Sequence, residues 1–127
     1  MNTIRFALAG IGIALLFTAG PVVADTETIR ALARIAMSLD HYPSGDDKVI
    51  LKAIIDSDDS SEEEAAIAMA LSNIDNKVRP ADAERLADIV DDDLSDASAR
   101  RLAEILLRID NSPGANDKVA LAALAGE

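Results

Sequence analysis

The residues of this chain that could do chemistry are carboxylates and one imidazole. There are 23 Asp and Glu against 12 Lys and Arg, one His and no Cys. The acids gather in two runs, Asp56-Ser57-Asp58-Asp59-Ser60-Ser61-Glu62-Glu63-Glu64 and Asp91-Asp92-Asp93. Clustered carboxylates can hold a hard cation. An EF-hand loop starting at Asp56 would need Gly at its sixth place and Glu at its twelfth, where Ser61 and Ile67 stand. The runs therefore read as inter-unit loops and helix starts, where acids meet the positive end of the helix dipole. Asp58, Asp59, Glu62, Glu63, Glu64, Asp91, Asp92 and Asp93 would then steer a basic partner by long-range attraction.

His41-Tyr42-Pro43-Ser44 holds the only His and the only Tyr. Pro and Ser mark it as a loop, and loops often carry function. His41 and Tyr42 are candidates for a contact hot spot. With no second His and no Cys, they do not compose a metal site. One His also removes most nucleophile–base schemes. The chain has no Gly-x-Ser-x-Gly, no phosphate-cradling glycine loop and no His-Glu-x-x-His. A protein without catalytic function and without a cofactor is expected.

These residues are positioned by a repeat. Sliding the sequence by 35 residues superimposes Asp40, Asp75 and Asp110, preceded by Leu39, Ile74 and Ile109. Leu32, Ile35, Ala36 and Leu39 follow the spacing of one helix face. Their counterparts are Ile67, Ala70, Leu71 and Ile74, then Leu102, Ile105, Leu106 and Ile109. Ala33, Ala68 and Ala103 also coincide and would let neighbouring helices approach closely. In the second half of each unit, Leu51, Ile54 and Ile55 become Leu86, Ile89 and Val90, then Leu121, Leu124 and Ala125. The last set is smaller, as suits a terminal repeat without a following neighbour.

Local signals agree. Ser44 with Asp47, and Ser60 with Glu63, resemble capping boxes, and Ser95 repeats the place of Ser60. Pro80 suits a first helical turn. The expected helices are 26–39, 45–56, 60–74, 80–91, 95–109 and 115–125. The fold class is all-α: three antiparallel hairpins of about 35 residues, with units 25–59, 60–94 and 95–127. They would form a short α-solenoid or a compact six-helix bundle. The constant offset without insertion points to the solenoid.

The arrangement resembles short HEAT-type helical hairpins, in which an Asp recurs near the inter-helix turn. Asp40, Asp75 and Asp110 stand at that place, with Lys48 and Lys118 following in two units and Ala83 in the other. Independently of the resemblance, an Asp in such a turn can accept backbone N–H groups, so these three positions read as structural.

The N-terminus reads as a secretory signal over residues 1–24. Arg5 supplies the positive start, Phe6 to Ala19 the apolar run, and Ala24 the small residue at the cleavage point. The expected product is residues 25–127, exported to a periplasm or secreted, with no stable membrane anchor. The net charge of −11 becomes more negative without Arg5. Such a surface repels nucleic acid and anionic lipid. Aromatic content of 2% argues against base-stacking and sugar sites. The expected role is an exported, acidic protein-interaction module, with a basic protein as its partner. Two alternatives are an envelope cation binder and a self-assembling structural or stress component, for which a homo-oligomer is expected.

Overall fold

The computed structural model describes residues 26–127. The leader read over residues 1–24 lies outside the described residues. Six helices follow one another: α1 (Thr26–Met37), α2 (Gly45–Asp56), α3 (Glu62–Asn73), α4 (Pro80–Asp91), α5 (Ala97–Arg108) and α6 (Ala115–Leu124). There is no β-strand among the described residues.

The repeated apolar positions form the core. Helices α1, α3 and α5 pack on one another. Their counterpart residues are buried in sets: Leu32, Ile67 and Leu102, then Ile35, Ala70 and Ile105, then Ala36, Leu71 and Leu106. Two of these sets contain one Ala, so large and small side chains interdigitate. Ala33, Ala68 and Ala103 are fully buried and bring the helices close. Helices α2, α4 and α6 lie outside this trio and add Leu51, Leu86 and Leu121 to the core.

Of the two arrangements compatible with the repeat, the molecule takes the closed one. Helix α6 packs on α1 as α2 packs on α3 and α4 on α5. The solenoid that the constant offset favoured is therefore corrected to a closed six-helix bundle. The physical reason lies in the last repeat. Leu121 and Ala125 are buried, so the supposed terminal face has a neighbour in α1. Arg34 Nη2 donates to Ala125 O at 3.4 Å across this joint. The end of α6 supports it with a Schellman motif. Glu127 N–H donates to Ala122 O at 2.9 Å and Gly126 N–H to Ala123 O at 3.1 Å. Gly126 has φ of 80°, and a Cβ there would lie 3.1 Å from Arg30 Nε.

The closest helix pairs thus straddle the repeat boundaries. Two are joined by loops 57–61 and 92–96, and the third is joined only by packing of α6 on α1. The loops divide between two ends of the bundle. Loops 38–44, 74–79 and 109–114 lie at one end, and loops 57–61 and 92–96 at the other.

Helices α3 and α5 begin two residues later than their periodicity suggests, at Glu62 and Ala97. Ser60 is spent in the turn, where its Oγ donates to Ile54 O at 2.9 Å. The capping box is instead formed by Ser61 and Glu64, and Asp96 caps α5. Ser44 caps α2 by accepting from Asp47 N–H at 3.1 Å, and Pro80 is the first residue of α4.

Candidate functional site

The first end of the bundle is a three-way backbone ring. His41, Asn76 and Asn111 have φ of 71°, 70° and 72°. His41 N–H donates to Asn111 O at 2.6 Å, Asn111 N–H to Asn76 O at 2.8 Å, and Asn76 N–H to His41 O at 2.7 Å. Each residue donates once and accepts once, so the loop tips tie one another around a pseudo-threefold axis. Asn suits the left-handed backbone, and His tolerates it better than branched residues do. Pro43 and Pro113 are buried, and Val78, the counterpart in the second unit, is partly buried.

His41 Nδ1 lies 2.9 Å from Asn76 Oδ1, and Nε2 lies 3.5 Å from Asp40 Oδ1. The bond to Asn76 raises the His41 pKa above the usual 6.5, with smaller contributions in the same direction from Asp40, Asn111 and Asp75 and a partial offset from desolvation. Asp40, Asp75 and Asp110 are exposed around the ring. Among the described residues their carboxylates accept no backbone N–H group. The turn-capping role read for them passes to residues 41, 76 and 111, whose backbones make the ring. Tyr42 is exposed beside it and does not cover the core.

The opposite end carries the acidic runs. Asp58, Asp59, Glu62, Asp91, Asp92 and Asp93 are exposed, and Glu63 is half-buried. Glu64 departs from this group. It is 1% exposed, and its Oε1 accepts from Ser61 N–H at 2.8 Å within the capping box. It is a structural residue and cannot meet a partner. The two candidate groups, His41 with Tyr42 and the acidic cluster, are not brought together. A twelve-residue helix separates the two ends, roughly 18 Å at 1.5 Å per residue.

A groove of about 510 Å³ opens between α2, α3 and α4 and reaches the second end. Its floor is Ile55, Ala65, Ala66, Met69 and Ile89. Its rim carries Glu62, Glu63, Asp88 and Asp92, with Arg85 as the one cation. Ser95 closes one side, and its buried Oγ has no hydrogen-bond partner among the described residues. The groove can receive an apolar surface bearing positive charge. Sequence reading found Glu62, Glu63 and Asp92 from their charge but not Met69, Arg85 or Asp88, which sit inside helix faces and look like ordinary exposed positions. Leu94, 95% exposed between Asp93 and Ser95, was likewise hidden in a polar loop.

A second carboxylate set joins helices at the ring end. Asp47, Asp82 and Asp117 are counterparts, as are Ser38, Asn73 and Arg108 nine residues earlier. Asn73 Nδ2 donates to Asp82 Oδ2 at 3.2 Å, and Arg108 Nη2 pairs with Asp117 Oδ1 at 2.7 Å. These pairs tie the end of one helix to the start of the next and are structural.

Among the described residues no group of three or more His, Cys, Asp or Glu is placed to hold a metal ion. No helix among them is long and apolar enough to cross a membrane. Compared with known family models, curated proteins and solved structures, this chain matches none.

Proposed function

We propose that this chain is an exported, acidic, non-catalytic helical-repeat protein that binds a basic protein partner. The observation that carries this reading is the groove between α2, α3 and α4. Its apolar floor offers area to bury, and its four rim carboxylates outnumber Arg85. Burial of the floor supplies affinity, while the rim and the neighbouring Asp58, Asp59, Asp91 and Asp93 set orientation and association rate. The leader pattern over residues 1–24 is the support for export.

The test is capture of partners from envelope extract at low and high salt, with wild type beside Glu62→Lys/Asp92→Lys. A basic protein held by wild type at low salt, released at high salt and not held by the variant supports the reading. Capture that ignores both salt and the charge reversal refutes it.

A further inference from the structure

The three joints of the bundle are counterparts, and two of them are filled by the chain's own arginines. At the α4–α5 joint, Arg100 Nε donates to Val90 O at 3.3 Å, and Arg100 Nη2 lies 3.7 Å from Asp93 Oδ1. At the α6–α1 joint, Arg34 Nη2 donates to Ala125 O at 3.4 Å, and Arg34 Nε lies 3.5 Å from Glu127 Oε2. Val90 and Ala125 are counterparts one repeat apart, so both guanidinium groups bind the same carbonyl position. Arg30 packs beside Gly126 in the same joint.

The α2–α3 joint has the acceptors without the arginine. Ile55 is the counterpart of Val90 and Ala125, and the described loop after it sends no N–H to its carbonyl. Asp58 is the counterpart of Asp93 and has no ion-pair partner among the described residues. The positions that hold arginine elsewhere hold smaller or uncharged residues here. Ala65 is the counterpart of Arg30 and Arg100, Ala66 of Arg101, and Met69 of Arg34. The space left is the groove of about 510 Å³, with a net negative rim.

We infer that this groove takes an arginine side chain from the protein partner, in the place that the other two joints fill from within. The inference rests on the partner-binding reading above and names its anchor. A guanidinium suits the place better than an ammonium. By the pattern of Arg100 with Val90 O and Asp93, its planar fork would meet the counterpart Ile55 carbonyl and Asp58 carboxylate, and its flat face would lie on Met69 and Ala66, which line the groove. The rim acids offer further acceptors at the mouth. The bond pattern of Arg100 and Arg34 is the template for the bound state.

The test is an NMR titration of the whole protein with N-acetyl-arginine amide and, separately, N-acetyl-lysine amide. The methyl groups of Ile55, Met69 and Ile89 report occupancy. The expected result is saturable shifts with the arginine amide and a response to the lysine amide weaker by about fivefold or more. Ala65→Arg supplies the missing side chain and removes the saturable shift. Asp58→Asn, on an exposed loop, keeps the protein folded and weakens arginine binding severalfold. Equal response to the two amides, or shifts that survive both substitutions, overturns the inference. So does a concentration-dependent dimer that Ala65→Arg dissolves, because the occupant is then a second copy of this chain. Salt-sensitive capture of a basic partner that is untouched by Ala65→Arg sinks the arginine site and leaves the acidic-surface reading standing.

Discussion

The two ends of the bundle treat the same threefold repeat differently. At the ring end, three loops repeat one conformation, and His41, Asn76 and Asn111 satisfy each other's backbone groups. At the other end the copies diverge. Two loops are acidic runs of different sequence, the third connection is absent, and the joints are lined by Arg30 and Arg34, by Ala65 and Met69, or by Arg100. What is repeated builds the ring. The departures from the repeat include both the Arg34 contact that closes α6 on α1 and the groove at the α2–α3 joint.

The strongest way to break this comparison is through the core that both ends share. Leu102→Ala removes a fully buried side chain from the central trio. A loss of about 2–5 kcal/mol is expected in urea unfolding. Both ends should lose structure in one transition; separate transitions would mean that they are independent. Next comes the ring. Asn76→Ala places a Cβ residue without a polar side chain at φ of 70° and should cost about 1 kcal/mol, whereas Asn76→Gly should be nearly neutral. Equal costs would show that the left-handed backbone is not what Asn76 supplies. At the opposite end, Ser61→Ala removes the capping box and should cost about 1 kcal/mol, with the ring amides unchanged in hydrogen exchange.

The smallest effect is that of pH on His41. Its folded pKa is raised, so its contribution is fully present below the unfolded value of 6.5 and is lost as pH rises through the folded value. Wild type should therefore lose slightly more stability than His41→Asn between about pH 6 and pH 8. Identical pH profiles for the two would remove the Asn76 and Asp40 contacts from the account.

Much of the fold was legible because each repeat copies the same apolar spacing. Leu32, Ile67 and Leu102 mark one core position without any structure, and Pro80 marks a helix start. Closure was not legible, because a stack of counterparts has the same sequence whether its ends meet or not. The covered face of Leu121 and Ala125 and the Schellman turn at Gly126 decide it. Ser60 and Ser61 compete for one cap within adjacent registers, and only geometry separates them. That displaced the expected box by one residue and turned Glu64 from a surface acid into a buried one. Of the site, the charge of Glu62, Glu63 and Asp92 was visible, while the apolar floor was read as plain helix. The absence of arginine at Ala65 and Met69 is visible at the 35-residue offset, but its meaning depends on knowing which carbonyl Arg100 and Arg34 reach.

The central claim is that the α2–α3 joint is an unfilled copy of the other two. The thermal unfolding midpoint of Ala65→Arg tests it most directly. If the joint is a true counterpart, the new guanidinium finds Ile55 O and Asp58, and Tm stays at or above that of wild type. A fall of about 4 °C or more, close to 1 kcal/mol for a domain of this size, would mean that the joint has no place for an arginine and would contradict the account.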